Sequence, residues 1–252
     1  MDYESSFKYM SIIDLMDKTY HKKKYSIERA KIHEKIIDDH FVNKNNQNNK
    51  VNIIFMTGCY GSGKSYVLET LFDNNLLEKN KYVYIDIDYI RTLLPEIKEQ
   101  MNSSVTFGSS SFHDIVEKTN CESKYIAEII ERKAIIENYN VIIDGSHHHN
   151  WCYNVYIPWI KKINPTIFIL LLYINVSLET ILKRITLRER TVPVDILKEV
   201  YDKVSKNINY LKNSVDKVIE INNENNFYPE KYENDLQCLS HKENSIKCQS
   251  FN

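Results

Sequence analysis

Glycine is scarce in this sequence: five among 252 residues, matched by only five prolines and five cysteines. The cysteines (Cys59, Cys121, Cys152, Cys238 and Cys248) are odd in number and scattered, with no C-x-x-C pair. That excludes a disulfide framework and predicts reduced thiols in a cytoplasmic compartment. Long apolar runs are missing too. The most apolar stretch, Ile167 to Val176, is about ten residues, too short to span a bilayer, and MDYESSFKYM does not read as a secretory signal. Nor is there an excess of either charge. A net charge of −1 supplies no global basic field for nucleic acid or anionic membrane. What remains is a soluble chain, 42% hydrophobic and 27% charged, long enough for one domain with a full core and appendages. No internal repeat is visible.

Three of the five glycines fall together, in VNIIFMT-GCYGSGKS-YVL, Val51 to Leu68. An apolar β-branched run leads into a glycine-punctuated loop and then a helix. Gly58, Gly63, Lys64 and Ser65 fit G-x-x-x-x-G-K-[ST]. Glycine lets successive backbone N–H groups turn inward around a phosphate, where a Cβ would obstruct the turn. The helix that follows adds the positive end of its dipole. The expected cradle for ATP phosphates is therefore Gly58, Cys59, Tyr60, Gly61, Ser62, Gly63, Lys64 and Ser65, with Lys64 reaching the β- and γ-phosphates and the Ser65 hydroxyl ligating Mg²⁺. A guanine-reading N-K-x-D segment is absent, which favours adenine.

Along the chain, residues 1–42 read as a helical segment, with Ser26 capping a helix whose Ile27, Ala30, Ile36, Ile37 and Phe41 share a face. A polar linker, 43–50, precedes a 51–223 core of alternating strands and helices. Its strands are predicted after Val51, at Tyr82–Asp88, Asn140–Ser146, Thr166–Val176 and Asp216–Asn223. Helices follow Lys64, Tyr89 (interrupted by Pro95), Ser123, Trp151, Ser177 and Val194. Ser103–Asp114 reads as a loop. The fold class is α/β, a parallel five-stranded sheet with helices on both faces. Residues 224–252, polar and rich in Asn, Lys and Glu, read as a disordered tail.

Several polar residues gather at the carboxyl ends of the predicted strands, where α/β sheets bind ligands. Asp86 and Asp88 should alternate across one strand end. Asp88, nearer the rim, is the candidate general base for a hydroxyl attacking a γ-phosphate, with helix capping as the plainer alternative. Asp144 closes the third strand and could hold a Mg²⁺-bound water. Arg184, Arg188 and Arg190 precede Pro193 and could clamp transferring phosphate, or simply favour a helix C-terminus. His147 to His149 invite a zinc reading, but no second ligand cluster has the required spacing. A loop contacting substrate fits better.

With these motifs, the chain resembles the zeta-toxin-like family of P-loop kinases from about Ser26 to Asn222, through ERAKIHEKIIDDHF, GCYGSGKS, YIDIDYIR, NVIIDGS and R-x-R-T-V-P. The resemblance implies a P-loop kinase-like sheet and transfer of the ATP γ-phosphate to a hydroxyl, typically on a UDP-N-acetylated hexosamine such as UDP-N-acetylglucosamine. Toxicity would depend on the acceptor and on a neutralising protein partner, neither of which the sequence visibly encodes. It assigns Asp88 as catalytic base, Lys64 and Ser65 to phosphate and Mg²⁺, and Glu128, Asp144 and Ser146 to the acceptor. Arg184 and Arg190 become the charge-neutralising arginines. Asp144 stands where the family has glutamate, and His147 to His149 replace its following G-R, so the departures sit on the acceptor side. Two other readings remain open. One is a polynucleotide or nucleoside hydroxyl kinase, which shares the loop and a D-x-x-R here supplied by Asp88 and Arg91. The other is a non-catalytic nucleotide-binding module.

Overall fold

The computed structural model describes residues 7–16, 24–47, 50–102, 110–187 and 193–239. Among them five strands, β1 (Asn52–Thr57), β2 (Tyr82–Asp86), β3 (Asn140–Gly145), β4 (Phe168–Asn175) and β5 (Lys217–Asn222), form one sheet in the order β2-β3-β1-β4-β5. Every neighbouring pair is parallel. All six residues of β1 are buried, and β4 is buried except near its ends. That is the signature of parallel strands covered on both faces, and it explains why these two runs lack polar alternation.

The helices are α1 (Met10–Ile13), α2 (Ile27–Asp39), α3 (Lys64–Asp73), α4 (Ile87–Thr92), α5 (Pro95–Asn102), α6 (Ser110–Ile136), α7 (Ile157–Ile163), α8 (Leu178–Thr186), α9 (Val194–Lys212) and α10 (Glu233–Leu236). Ser26 caps α2 and Ser177 caps α8, each accepting a backbone N–H three residues on. Pro95 begins α5, where its missing N–H costs nothing. Helix α2 buries Ala30, Ile36 and Ile37 as expected, but Ile27 stays exposed and His33 takes a core position instead. His33 is tolerated there because its Nε2 meets Glu122 of α6, which also binds the Arg29 guanidinium at 2.5 Å.

Three expectations change. Helix α6 starts at Ser110, so part of the serine-rich stretch expected as loop is helical. The second strand stops at Asp86 rather than Asp88, because the Asp86 carboxylate accepts the Asp88 N–H (2.8 Å) and turns the chain into α4. The chain after Asn222 is not a loose tail as far as Leu239. Phe227, Leu236 and Leu239 are buried, and Asn52 Nδ2 and Lys50 Nζ donate to the carbonyls of Leu239 and Cys238. Three apolar anchors suffice to dock a segment whose composition is otherwise polar. Residues 240–252 lie outside the described residues, as do 188–192.

Candidate active site

The loop after β1 takes the shape its glycines allow. Gly61 and Gly63 have φ of +80° and +91°, and Gly63 is the N-cap of α3. A Cβ at Gly58 would meet Ser62 Oγ at 2.6 Å and Ile174 O at 2.9 Å, so loop and β4 close too tightly for any side chain there. Lys64 Nζ donates to Gly58 O (3.0 Å) across the loop and lies 3.9 Å from Asp144 Oδ1. From behind, Ser62 O accepts Arg184 Nη1 (3.2 Å) and Asn223 Nδ2 (2.8 Å), while Arg184 Nη2 donates to Asn223 O at 2.6 Å. The loop is thus braced by one residue of α8 and one just past β5.

Parallel pairing sets Asp86 and Asp144 side by side at the ends of β2 and β3. Burial pushes the Asp144 carboxyl up to about 6, with Asp86 adding to the rise and Lys64 opposing it. Tyr84 donates its hydroxyl to Asp144 Oδ2 (3.1 Å). Asp86 is likewise raised, chiefly by burial. Asp88 sits in the first turn of α4 with a half-exposed side chain, and its Oδ1 accepts Nη1 of the buried Arg91. Arg91 Nη2 in turn donates to Asn120 Oδ1 of α6 (3.1 Å).

One cavity of about 630 Å³ joins these parts. Lys64, Ser65, Asp86, Asp88 and Arg91 line one side. Glu128 and Glu131 of α6 line another, and Asp144, Ser146 and the three histidines close it. Glu128 is paired with Arg132 at 2.7 Å. His147 adopts φ +47°, a backbone region uncommon for a non-glycine residue, and its Nδ1 lies 2.8 Å from Thr57 Oγ1 at the end of β1. Burial drives its imidazole down to about 3, with Lys64 adding to the fall, so the ring is neutral. Ser146 Oγ lies 2.6 Å from His148 Nδ1.

Most residues singled out from the sequence thus meet in one place: Tyr60, Gly61, Gly63, Lys64, Ser65, Asp88, Arg91, Glu128, Asp144 and Ser146 all line the cavity. Four others differ in placement. Gly58, Cys59 and Ser62 lie behind the lining, with Cys59 Sγ directed to Leu197 O at 3.8 Å and Ser62 fully buried. Arg184 grips loop carbonyls rather than the cavity. Arg190 lies outside the described residues. Asp86 and Asp88 do not face opposite sides of a strand, because the strand has ended before Asp88. The histidines line the cavity as a loop, and no cluster of metal-ligating residues occurs among the described residues.

Sequence reasoning missed Asn223, Tyr84 and Glu131. All three had a usable signal. Asn223 directly follows a strand end on the active rim, and Tyr84 shares a strand face with Asp86. Glu131 is three residues from Glu128 and so on the same helix face. Among the described residues no helix is long and apolar enough to cross a membrane.

The sequence pattern of the zeta toxin family matches residues 36–233, most of the chain. No curated protein matches it. Among solved structures, a chain from the PezAT chromosomal toxin–antitoxin system of the human pathogen Streptococcus pneumoniae superposes with a TM-score of 0.55 at 17% identity, covering 88% of this chain and 90% of that one. A chain of the AvrRxo1-ORF1:-ORF2 complex with ATP gives 0.56 at 17% identity over 75% of this chain, which spans 60% of that chain's length. At such identities the likeness is one of fold.

Proposed function

The chain belongs to the zeta toxin family, a nucleotide-dependent P-loop phosphotransferase group, and from that premise we propose that it transfers the γ-phosphate of ATP to a hydroxyl of a small molecule, a UDP-N-acetylated amino sugar being the leading acceptor. The observation that carries this reading is the single cavity in which the phosphate-loop residues Lys64 and Ser65 face Asp88 and the carboxylates Glu128 and Asp144. A loop that served only to bind nucleotide would need no such group of acids in the same cavity.

In this reading Asp88 accepts the proton of the acceptor hydroxyl as its oxygen bonds to the γ-phosphorus, and the bond to the bridging oxygen of ADP breaks. Arg91 fixes the Asp88 carboxylate at its Oδ1. Lys64 offsets charge on the transferring phosphate. Arg184 acts first by holding the loop in shape, and Arg190 remains the arginine that the resemblance assigns to the transferring phosphate. The donor set fits Mg²⁺: a hydroxyl and buried carboxylates are hard oxygen ligands, and Asp144, held high by burial, is a carboxylate that a cation would relieve. Ser65 and Asp144 would hold that ion, which would neutralise phosphate charge. The likeness to a toxin–antitoxin chain supports extending the proposal to a neutralising protein partner.

The test is ³¹P NMR of the protein with MgATP, with and without UDP-N-acetylglucosamine, beside Asp88→Asn. A new phosphomonoester resonance that requires both the sugar and Asp88 supports the reading. ADP formation indifferent to every sugar nucleotide, or phosphorylation of an oligonucleotide instead, overturns the acceptor. ATP binding without any turnover overturns the kinase reading.

A further inference from the structure

One wall of the cavity is built differently from the rest. Between His149 and α7 the chain makes a π-helical stretch, Cys152–Tyr156, a wide turn often found at functional sites. It stacks three rings: Trp151 on Tyr156 at 5.0 Å and 14°, and Tyr156 on Trp159 at 5.8 Å and 6°. Arg132 caps the stack, its guanidinium 4.4 Å from the Trp159 ring. Phe55 of β1 meets Tyr156 edge-on. The stack is therefore rigid and held from two sides.

One of its polar edges is unsatisfied. The buried Trp151 Nε1 has no hydrogen-bond partner among the described residues, and the hydroxyl of Tyr156, 2% exposed, meets only the Glu131 carboxyl. Both residues line the cavity, as does Glu131, whose carboxyl lies beside the Tyr156 hydroxyl. Buried donors without partners are rare in folded proteins and ask for a ligand or water. Their chemistry narrows which ligand. Indole N–H only donates, a phenol donates or accepts, and a carboxylate accepts.

We propose that Trp151, Tyr156 and Glu131 form the acceptor-recognition end of the site, taking a planar amide-type group whose C=O accepts from the indole and phenol and whose N–H donates to Glu131. This deepens the reading under Proposed function and rests on it. Within a UDP-N-acetylated sugar the group has two sources, the imide edge of uracil and the acetamido substituent, which share this donor and acceptor pattern. Burial lifts the Glu131 carboxyl to about 7, and its hydrogen bond with Tyr156 opposes the rise. None of the three was singled out as a ligand by sequence.

The chain has two tryptophans, and both stand in this stack. Intrinsic fluorescence therefore reads occupancy here without any requirement for turnover. The full-length protein is titrated with UDP-N-acetylglucosamine, UDP-glucose and UDP, by fluorescence and by calorimetry, as wild type, Tyr156→Phe and Glu131→Gln. The expected result is a fluorescence change on binding, at least a fivefold rise in Kd for Tyr156→Phe, and unchanged ATP affinity in both variants. If UDP-glucose and UDP bind and lose affinity in Tyr156→Phe as the N-acetylated sugar does, uracil is the group read. If they bind weakly and are insensitive to Tyr156→Phe, it is the acetamido group. Binding with no fluorescence change and no effect of either variant overturns the inference, as does the absence of binding by all three compounds. Binding at the stack without phosphoryl transfer would overturn only the kinase reading on which it rests.

Discussion

The Asp86 carboxylate accepts the backbone N–H of Asp88 at 2.8 Å, so the residue that ends one strand aims the residue proposed to remove the acceptor's proton. The two aspartates are a cap and its cargo, not two equivalent acids. Asp86→Asn keeps a capping oxygen and should leave stability nearly unchanged, whereas Asp86→Ala should cost about 1 kcal/mol. Displacing Asp88 in the alanine variant should lower kcat by roughly 10- to 100-fold. Chemical denaturation alongside steady-state kinetics separates the two effects.

Arg184 offers a sharper discrimination. Its guanidinium holds Ser62 O and Asn223 O, two buried carbonyl contacts behind the phosphate loop. Arg184→Ala should therefore destabilise the fold by about 1–3 kcal/mol and raise KM for ATP together with any loss in kcat. Were the residue solely a transition-state cation, stability and KM would stay put while kcat fell alone.

Acid should loosen the attachment of α2 to α6. Burial alone would raise the Glu122 carboxyl, but hydrogen bonds and charge from His33 and Arg29 hold it down at about 2. A carboxyl depressed on folding stabilises the native state above its unfolded value and loses that contribution as pH falls toward the folded one. The window here runs from about pH 4.5 to about pH 2. The contribution is on the order of 3 kcal/mol, and Glu122→Gln should flatten the stability profile across that interval in pH-dependent urea denaturation.

The docked segment past β5 makes its own prediction. Phe227 is 5% exposed and stacks near Tyr232. Phe227→Ala should cost about 3–5 kcal/mol. A segment that hung free would register no change in thermal midpoint.

The sheet was legible because β1 and β4 are unbroken apolar runs and the loop between β1 and α3 carries three of five glycines in a fixed pattern. The docked tail was not, because three apolar side chains among many polar ones leave no periodic trace. The strand end at Asp86 was misplaced for a related reason. IDID alternates like a strand, and the hydrogen bond that ends it depends on which way one carboxylate turns. The acids and Lys64 could be placed on one rim from strand order alone. Arg184 could not, since a helix C-terminal arginine reaches the loop or the solvent according to what lies at the end of β5. The aromatic stack was invisible because an α-helical reading puts residues five apart on different faces, and only the π-helical stretch brings Trp151 over Tyr156.

Asn223 holds Ser62 O at 2.8 Å from 161 residues further along the chain. The phosphate loop follows the first strand of the sheet but receives this clamp only when β5 adds to the sheet edge beside β4. A nascent or prematurely terminated polypeptide that stops before Asn223 carries the whole loop motif and yet lacks its fastener. The shape of the phosphate loop is thereby tied to the docking of the sheet's fifth strand, and the motif by itself does not carry its own brace.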